Sequence, residues 1–318
     1  MRGFGQIRSW SAVIAGLALG FSLPATTGAA QESQTGDPTF NVEIERPAYQ
    51  RHHPRVLFDE AHFNVHTTSG SYGAFARLLG NDGYSFAPAR ARFDRATLRP
   101  FDIVVIANAL GAADPESAAA ARPAFSDAEC DAIEDWVRRG GSLLLITDHE
   151  PAASAAEPLV SRFGVGSSKN FALDSQNYFT RSNWPGNLVF SRANGLLADH
   201  PIANGRGAAE RVESVLTFGG QSLRGPADAV PVLRLSDTAT TLFAFPGRRA
   251  EFSAAGRALL LAMRHGRGRI VITGEAAMLS AQLLQEGSET QPFGMNVPGF
   301  DNRQLALNIM HWLSGLIG

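Results

Sequence analysis

Residues 102–107 read Asp-Ile-Val-Val-Ile-Ala, and residues 142–147 read Ser-Leu-Leu-Leu-Ile-Thr. A strand that is apolar at successive positions has no face for water, so it belongs in a sheet covered on both sides, the parallel α/β arrangement. Between these runs, Ser126 and Glu129 form a capping box, each side chain satisfying the other's backbone donor. The helix that starts there runs to Arg139, and Gly140-Gly141 stops it. The alternation begins earlier, with a strand at 55–58, a helix over 71–82 carrying Phe75, Leu78 and Leu79 at helical spacing, and a strand at 84–87. It resumes with helices expected over about 153–163 and 253–265, a strand over 269–273 and a closing amphipathic helix over 301–316.

Residues 164–249 break the pattern. They are rich in Asn, Ser and Gly, carry Phe171, Tyr178, Phe179 and Trp184, and hold strand-like runs at 212–218, 230–235 and 241–245. This stretch reads as a β-rich excursion over the sheet and not as a separate domain. With 318 residues and 44% hydrophobic content, the chain can bury one large α/β domain spanning 55–318.

Residues 1–30 read as an export signal: Arg2 and Arg8, an apolar stretch from Trp10 to Leu23, then small residues up to Ala30. The apolar stretch is short for a stable membrane span. The expected location is periplasmic or secreted, with no stable membrane span once the signal is removed. Residues 31–54, with Pro38, Pro47 and Pro54, read as a linker or extended arm. Without the signal, 26 basic residues face 30 acidic ones. There is no basic excess for nucleic acid and no acidic block for a disordered tail. The only cysteine, Cys130, allows no internal disulfide, and its place in a helix points to a small buried apolar role.

Polar clusters stand where the strands end. The densest is Asp59-Glu60-Ala61-His62-Phe63-Asn64-Val65-His66, directly after Val56-Leu57-Phe58. Asp148-His149-Glu150 follows the strand at 142–147, and Glu275 follows the strand at 269–273. In open α/β sheets, ligands bind outside the carboxyl ends of the strands. Carboxylate and imidazole together are a common donor set for zinc and similar divalent metals. Asp59, His62, His66, Asp148 and His149 are therefore the candidate metal ligands, and a carboxylate-activated water is the alternative. Glu60, His62, Asp148 and Glu275 are the candidate catalytic groups. Blander roles compete with these: a helix N-cap for Asp148, a first-turn glutamate for Glu275, a hydrogen-bonded loop for the first cluster. No G-x-S-x-G elbow ends any strand, so covalent catalysis by serine is not expected.

The order Val-Leu-Phe-Asp59-Glu-Ala-His62, Tyr72-Gly-Ala-Phe-Ala-Arg-Leu-Leu, Phe101-Asp-Ile-Val-Val-Ile-Ala and Trp136-Val-Arg-Arg-Gly-Gly-Ser-Leu-Leu-Leu-Ile-Thr-Asp148-His149 resembles the class I glutamine amidotransferase-like superfamily. Within it, the chain is most similar to the branch with GIFT and ThuA-like domains. The closing segment from Asn302 to Trp312 is similar to the last helix of such proteins. The resemblance covers roughly 55–318, least well in the excursion. It implies a flavodoxin-like fold with the first strand near the sheet centre. The family's catalytic cysteine on a glycine-flanked elbow has no counterpart here, so glutaminase activity is not implied.

Two functions stand as expectations. The first is an exported hydrolase acting on a small polar or glycan-derived substrate through the carboxylate and histidine groups, with or without a divalent metal. The second is a non-catalytic periplasmic ligand-binding or scaffolding module. No nucleic-acid partner is expected.

Overall fold

A computed structural model describes residues 33–245, 248–286 and 289–318; the export-signal segment lies outside the described residues. The described chain opens with β1 (Ser33–Gly36) and an extended arm. Then come β2 (Arg55–Asp59), α1 (Gly73–Asn81), β3 (Ser85–Ala89), α2 (Arg95–Leu98), β4 (Ile103–Ala107), α3 (Asp127–Arg138), β5 (Ser142–Ile146) and α4 (Ala152–Arg162). The excursion contributes β6 (Gly166–Leu173), β7 (Val189–Ser191), α5 (Pro201–Asn204), β8 (Ser214–Leu216), β9 (Gln221–Arg224), β10 (Val230–Arg234), β11 (Thr240–Phe245) and β12 (Arg248–Ser253). The chain closes with β13 (Ala258–His265), β14 (Gly268–Thr273), β15 (Ala281–Glu286), β16 (Glu289–Gly294) and α6 (Asn302–Leu313).

The parallel block runs β3-β2-β4-β5-β14. This is the flavodoxin order 2-1-3-4-5, in which ligands sit where the strand order reverses. Side chains alternate across it as the pleat demands. Val56, Phe58, Ile103, Val105, Leu144 and Ile146 pack with α1 and α6 on one face. Leu57, Val104, Ile106, Leu143, Leu145 and Ile272 pack with α3 and α4 on the other. The first strand of the block, β2, stands next to the edge strand β3, not near the centre of the sheet. All the extra strands add beyond β14, which moves the midpoint away from β2.

Two other expectations are corrected. Residues 258–265, read as the latter part of a helix, form β13, because this apolar run is clasped antiparallel between β14 and β10. The excursion does not lie wholly over the sheet. Its strands β9, β6, β11 and β12 continue the sheet antiparallel past β13, while β7 and β8 pair apart from it. Two glycines allow this join. A Cβ on Gly274 would lie 2.3 Å from the Gln221 carbonyl oxygen, and one on Gly220 would lie 2.5 Å from that of Gly274. The arm is docked, since β1 pairs with β15, which pairs with β16.

Candidate functional site

The polar clusters divide into two sites. The first is closed. Asp59 ends β2, and its Oδ1 lies 2.8 Å from His62 Nδ1. On the other side of the ring, His62 Nε2 lies 2.8 Å from Oε1 of Glu129, one turn into α3. Asn64 Nδ2 also donates to Asp59, at 3.0 Å. Arg92 and the Phe93 backbone N–H donate to Glu129, whose other oxygen completes the capping box with Ser126. His62 stacks on Phe93, with Phe125 4.6 Å away, and is 3% exposed.

With a carboxylate at each nitrogen, His62 donates from both and is an imidazolium. Burial opposes that charge, but hydrogen bonds and charge from Asp59, and then from Glu129, outweigh it and raise the His62 pKa above 6.5. Burial likewise works against Glu129 ionising, yet hydrogen bonds from Ser126 and the charge of His62 bring its pKa down to about 2. Neither His62 nitrogen keeps a lone pair for a metal or for a substrate proton.

The second site is open. A cavity of about 230 Å³ lies at the carboxyl ends of β4, β5 and β14. Asp148, His149 and Glu275 line it beside His66 and Asn108. Phe171 from the excursion, Phe218, Phe293, Val65 and Leu110 supply apolar wall, and Gln34 of β1 stands among the lining residues.

Asn108 follows β4 with φ of 48°, the left-handed region that asparagine tolerates better than most residues. Its Oδ1 accepts from the Asp148 backbone N–H at 3.0 Å, which fixes the turn after β5. Its Nδ2 lies 3.3 Å from His66 Nε2, while His66 Nδ1 lies 2.6 Å from Ser71 Oγ. Since an amide N–H only donates, Nε2 accepts and His66 is neutral. Burial drives its pKa down to about 4. Gln221 Nε2 donates to the Thr147 and Asp148 carbonyl oxygens, tying the excursion to the same turn.

Asp148 Oδ1 accepts only from the adjacent His149 N–H, at 2.8 Å, and Oδ2 meets the Ala276 N–H at 3.4 Å. Its side chain is 17% exposed, and His149 Nε2 lies 3.8 Å away. Glu275 is fully buried. Its two oxygens accept from the Ala277 and Met278 N–H groups at 2.7 and 2.8 Å, so it caps the turn that follows β14. Burial, and then the charge of Asp148, raise the Glu275 pKa well above the usual carboxyl range. Burial also raises that of Asp148, against the opposing pull of His149. Two like charges held together out of water share a proton more readily than they both ionise.

His149 Nδ1 donates to the Glu150 carbonyl oxygen at 2.9 Å, so in the neutral ring Nε2 carries the lone pair. The ring leans on Phe171, centroid to centroid 4.3 Å. The site therefore brings two carboxyls whose ionisation burial opposes next to an imidazole.

The sequence placed Asp59, His62, His66, Asp148 and His149 around one point; the structure does not. Asp59 and His62 belong to the closed triad, and only His66, Asp148 and His149 reach the cavity. His66 Nε2 is occupied by Asn108. Among the described residues, no group of three or more His, Cys, Asp or Glu side chains is placed to hold a metal ion. As placed, these side chains do not come together as the divalent-metal site that stood as one possibility.

Glu60, one of the candidate catalytic groups, also lies outside the cavity lining; it accepts from the Thr68 backbone N–H and hydroxyl. Asp148 does not cap α4, which has Pro151 at its N-cap. Asp301 precedes α6 without a side-chain cap bond and instead accepts from the backbone of Glu213 and Ser214. The site residues missed from the sequence are Phe218, Phe293, Gln34 and Gln282, which lie far from any strand-end cluster. The left-handed turn at Asn108 left no mark in the sequence either.

No family model matches the sequence, and no curated protein matches it. Among solved structures, the N-terminal domain of mmIFT52 is 17% identical with a TM-score of 0.55, over 81% of this chain and 97% of that one. A putative ThuA-like protein from Bacteroides uniformis is 12% identical with a TM-score of 0.43, over 87% and 95%. A putative GMP synthase protein from Thermoplasma acidophilum is 11% identical with a TM-score of 0.42, over 84% and 97%. Of these three, the mmIFT52 domain alone is alike enough to carry a comparison, and at its identity it bears on the fold alone.

Proposed function

We propose that this chain is an exported hydrolase acting on a small polar or glycan-derived molecule through the Asp148–Glu275 carboxyl pair and His149. The observation that carries the reading is the meeting of two carboxyls and an imidazole on one cavity wall. Burial raises the pKa of Asp148 and of Glu275, and His149 Nε2 lies 3.8 Å from Asp148 Oδ1. Carboxyls made harder to ionise beside an imidazole are candidates for acid and base roles.

In the proposed reaction, His149 Nε2 takes a proton from water as the water oxygen bonds to the electrophilic carbon of the substrate. The bond to the leaving group breaks, and its oxygen takes the proton held by the pair. Asp148 faces the cavity and delivers that proton; Glu275 is a positioning residue behind it. Asn108 and His66 orient the Asp148 turn. Cys130 supports a place in a branch without the thiol chemistry of the amidotransferases. It is buried in α3, and burial pushes its thiol up to about 11. The signal-like residues 1–30 support export.

The test is a panel of p-nitrophenyl glycosides and esters with the wild type and His149→Ala. The expected result is turnover by the wild type and a fall in kcat of about 10²- to 10⁴-fold in the variant, with the melting temperature unchanged. Turnover unaffected by the substitution would sink the assignment. Binding without turnover would favour the ligand-binding alternative.

A further inference from the structure

The cavity walls bear on the charge of the ligand. Among the described residues that line the cavity, none is lysine or arginine, while Asp148, Glu150 and Glu275 are all acidic. The Glu150 oxygens are taken by Ser154, and those of Glu275 by two backbone N–H groups. Asp148 is different: its carboxylate has no strong cationic partner, and Oδ2 has only the 3.4 Å contact. Aromatic rings line the same cavity. Phe171 packs on His149 and edge-on to Trp184, and Phe218 packs on Phe293 with ring centroids 4.3 Å apart. Carboxylate and aromatic faces together attract a cation, and the attraction grows as water is excluded. An anion would meet like charge with no lysine or arginine among the lining residues to offset it.

Accepting the cavity as the ligand site proposed above, we infer that it selects a molecule carrying a protonated amino group, seated against Asp148 among Phe171, Phe218 and Phe293. The volume of about 230 Å³ limits that molecule to about the size of a single ring. An amino sugar with a free amine combines this charge with the glycan-derived class.

Isothermal titration with two matched series tests the inference near pH 6.5, where amines are protonated. One series is glucosamine, N-acetylglucosamine and glucuronate; the other is 2-phenylethylamine, 2-phenylethanol and phenylacetate. In at least one series, the cation is expected to bind about 10-fold more tightly than its neutral counterpart, with the anion weakest. Asp148→Asn should erase that preference. Equal affinities across charge, a preference for the anion, or no binding of either amine would overturn the inference. Because the readout is binding, failure here with His149-dependent hydrolysis intact would remove the charge selection and leave the hydrolase reading standing. Loss of hydrolysis with amine binding intact would do the reverse.

Discussion

The Asp59–His62–Glu129 triad and the Asp148–His149–Glu275 group are built from the same side-chain types, yet only one has chemistry left to do. In the triad, every strong donor meets an acceptor, and two aromatic rings shut out water. In the second group, an imidazole nitrogen and a carboxylate oxygen face a cavity with weak partners or none. A buried charge without its counter-charge is costly, so one that persists at a cavity is a candidate for function. A cluster that satisfies itself is a candidate for structure. The difference lies in partners, not in polar density.

Breaking the closed side should have the largest effect. Glu129→Ala removes one of the two counter-charges of His62, the partner of Arg92 and the capping-box acceptor in a single step. A loss of about 3–5 kcal/mol is expected in chemical denaturation, as for other half-deleted buried pairs. Binding and turnover at the cavity should survive below the lowered melting temperature. A stable Glu129→Ala protein would show that the triad contributes little to the fold.

The pH dependence of stability sharpens the same contrast. The Glu129 pKa is lowered to about 2 from 4.5, so its contribution is complete above 4.5 and is lost as pH falls towards 2. The His62 pKa is raised above 6.5, so its contribution is complete below 6.5 and is lost as pH rises through the folded value. The charged groups facing the ring are Asp59 and Glu129, with Arg92 on the far side of Glu129. The triad should therefore stabilise most between about pH 4.5 and 6.5. The difference in melting temperature between wild type and Glu129→Ala should peak in that window; a flat difference would contradict the ion triad.

How much of this was legible in the sequence follows from how local each signal is. The strands at 103–107 and 142–146 announced themselves because both faces are apolar, and α3 did so through its capping box. β13 did not. Its Ala-Leu-Leu-Leu-Ala-Met run is rich in helix formers, and pairing with β14 and β10 overrides that preference. The usable clue was Gly266-Arg267, a two-residue link between apolar runs with Gly266 at φ 59°, which is hairpin chemistry. The strand-end rule pointed to Asp148 and Glu275, and both line the cavity. It could not reveal that His62 turns towards α3, because Glu129 lies 67 residues away and its capping role already accounted for it.

The smallest expected effect runs in the opposite direction on the open side. Asp148→Asn keeps an oxygen for the His149 N–H but removes a charge held beside Glu275. Because the Asp148 pKa is raised in the folded state, its ionisation costs stability above its ordinary value of 3.8. The variant should be more stable than wild type at neutral pH by up to about 1 kcal/mol, while losing turnover. The gain should vanish near pH 3, where the aspartate is neutral in both folded and unfolded chains. Parallel urea titrations at the two pH values read this directly. A destabilised variant at neutral pH would mean that Asp148, like Glu129, is held by partners that need its charge, and the distinction between a closed and an open cluster would fail.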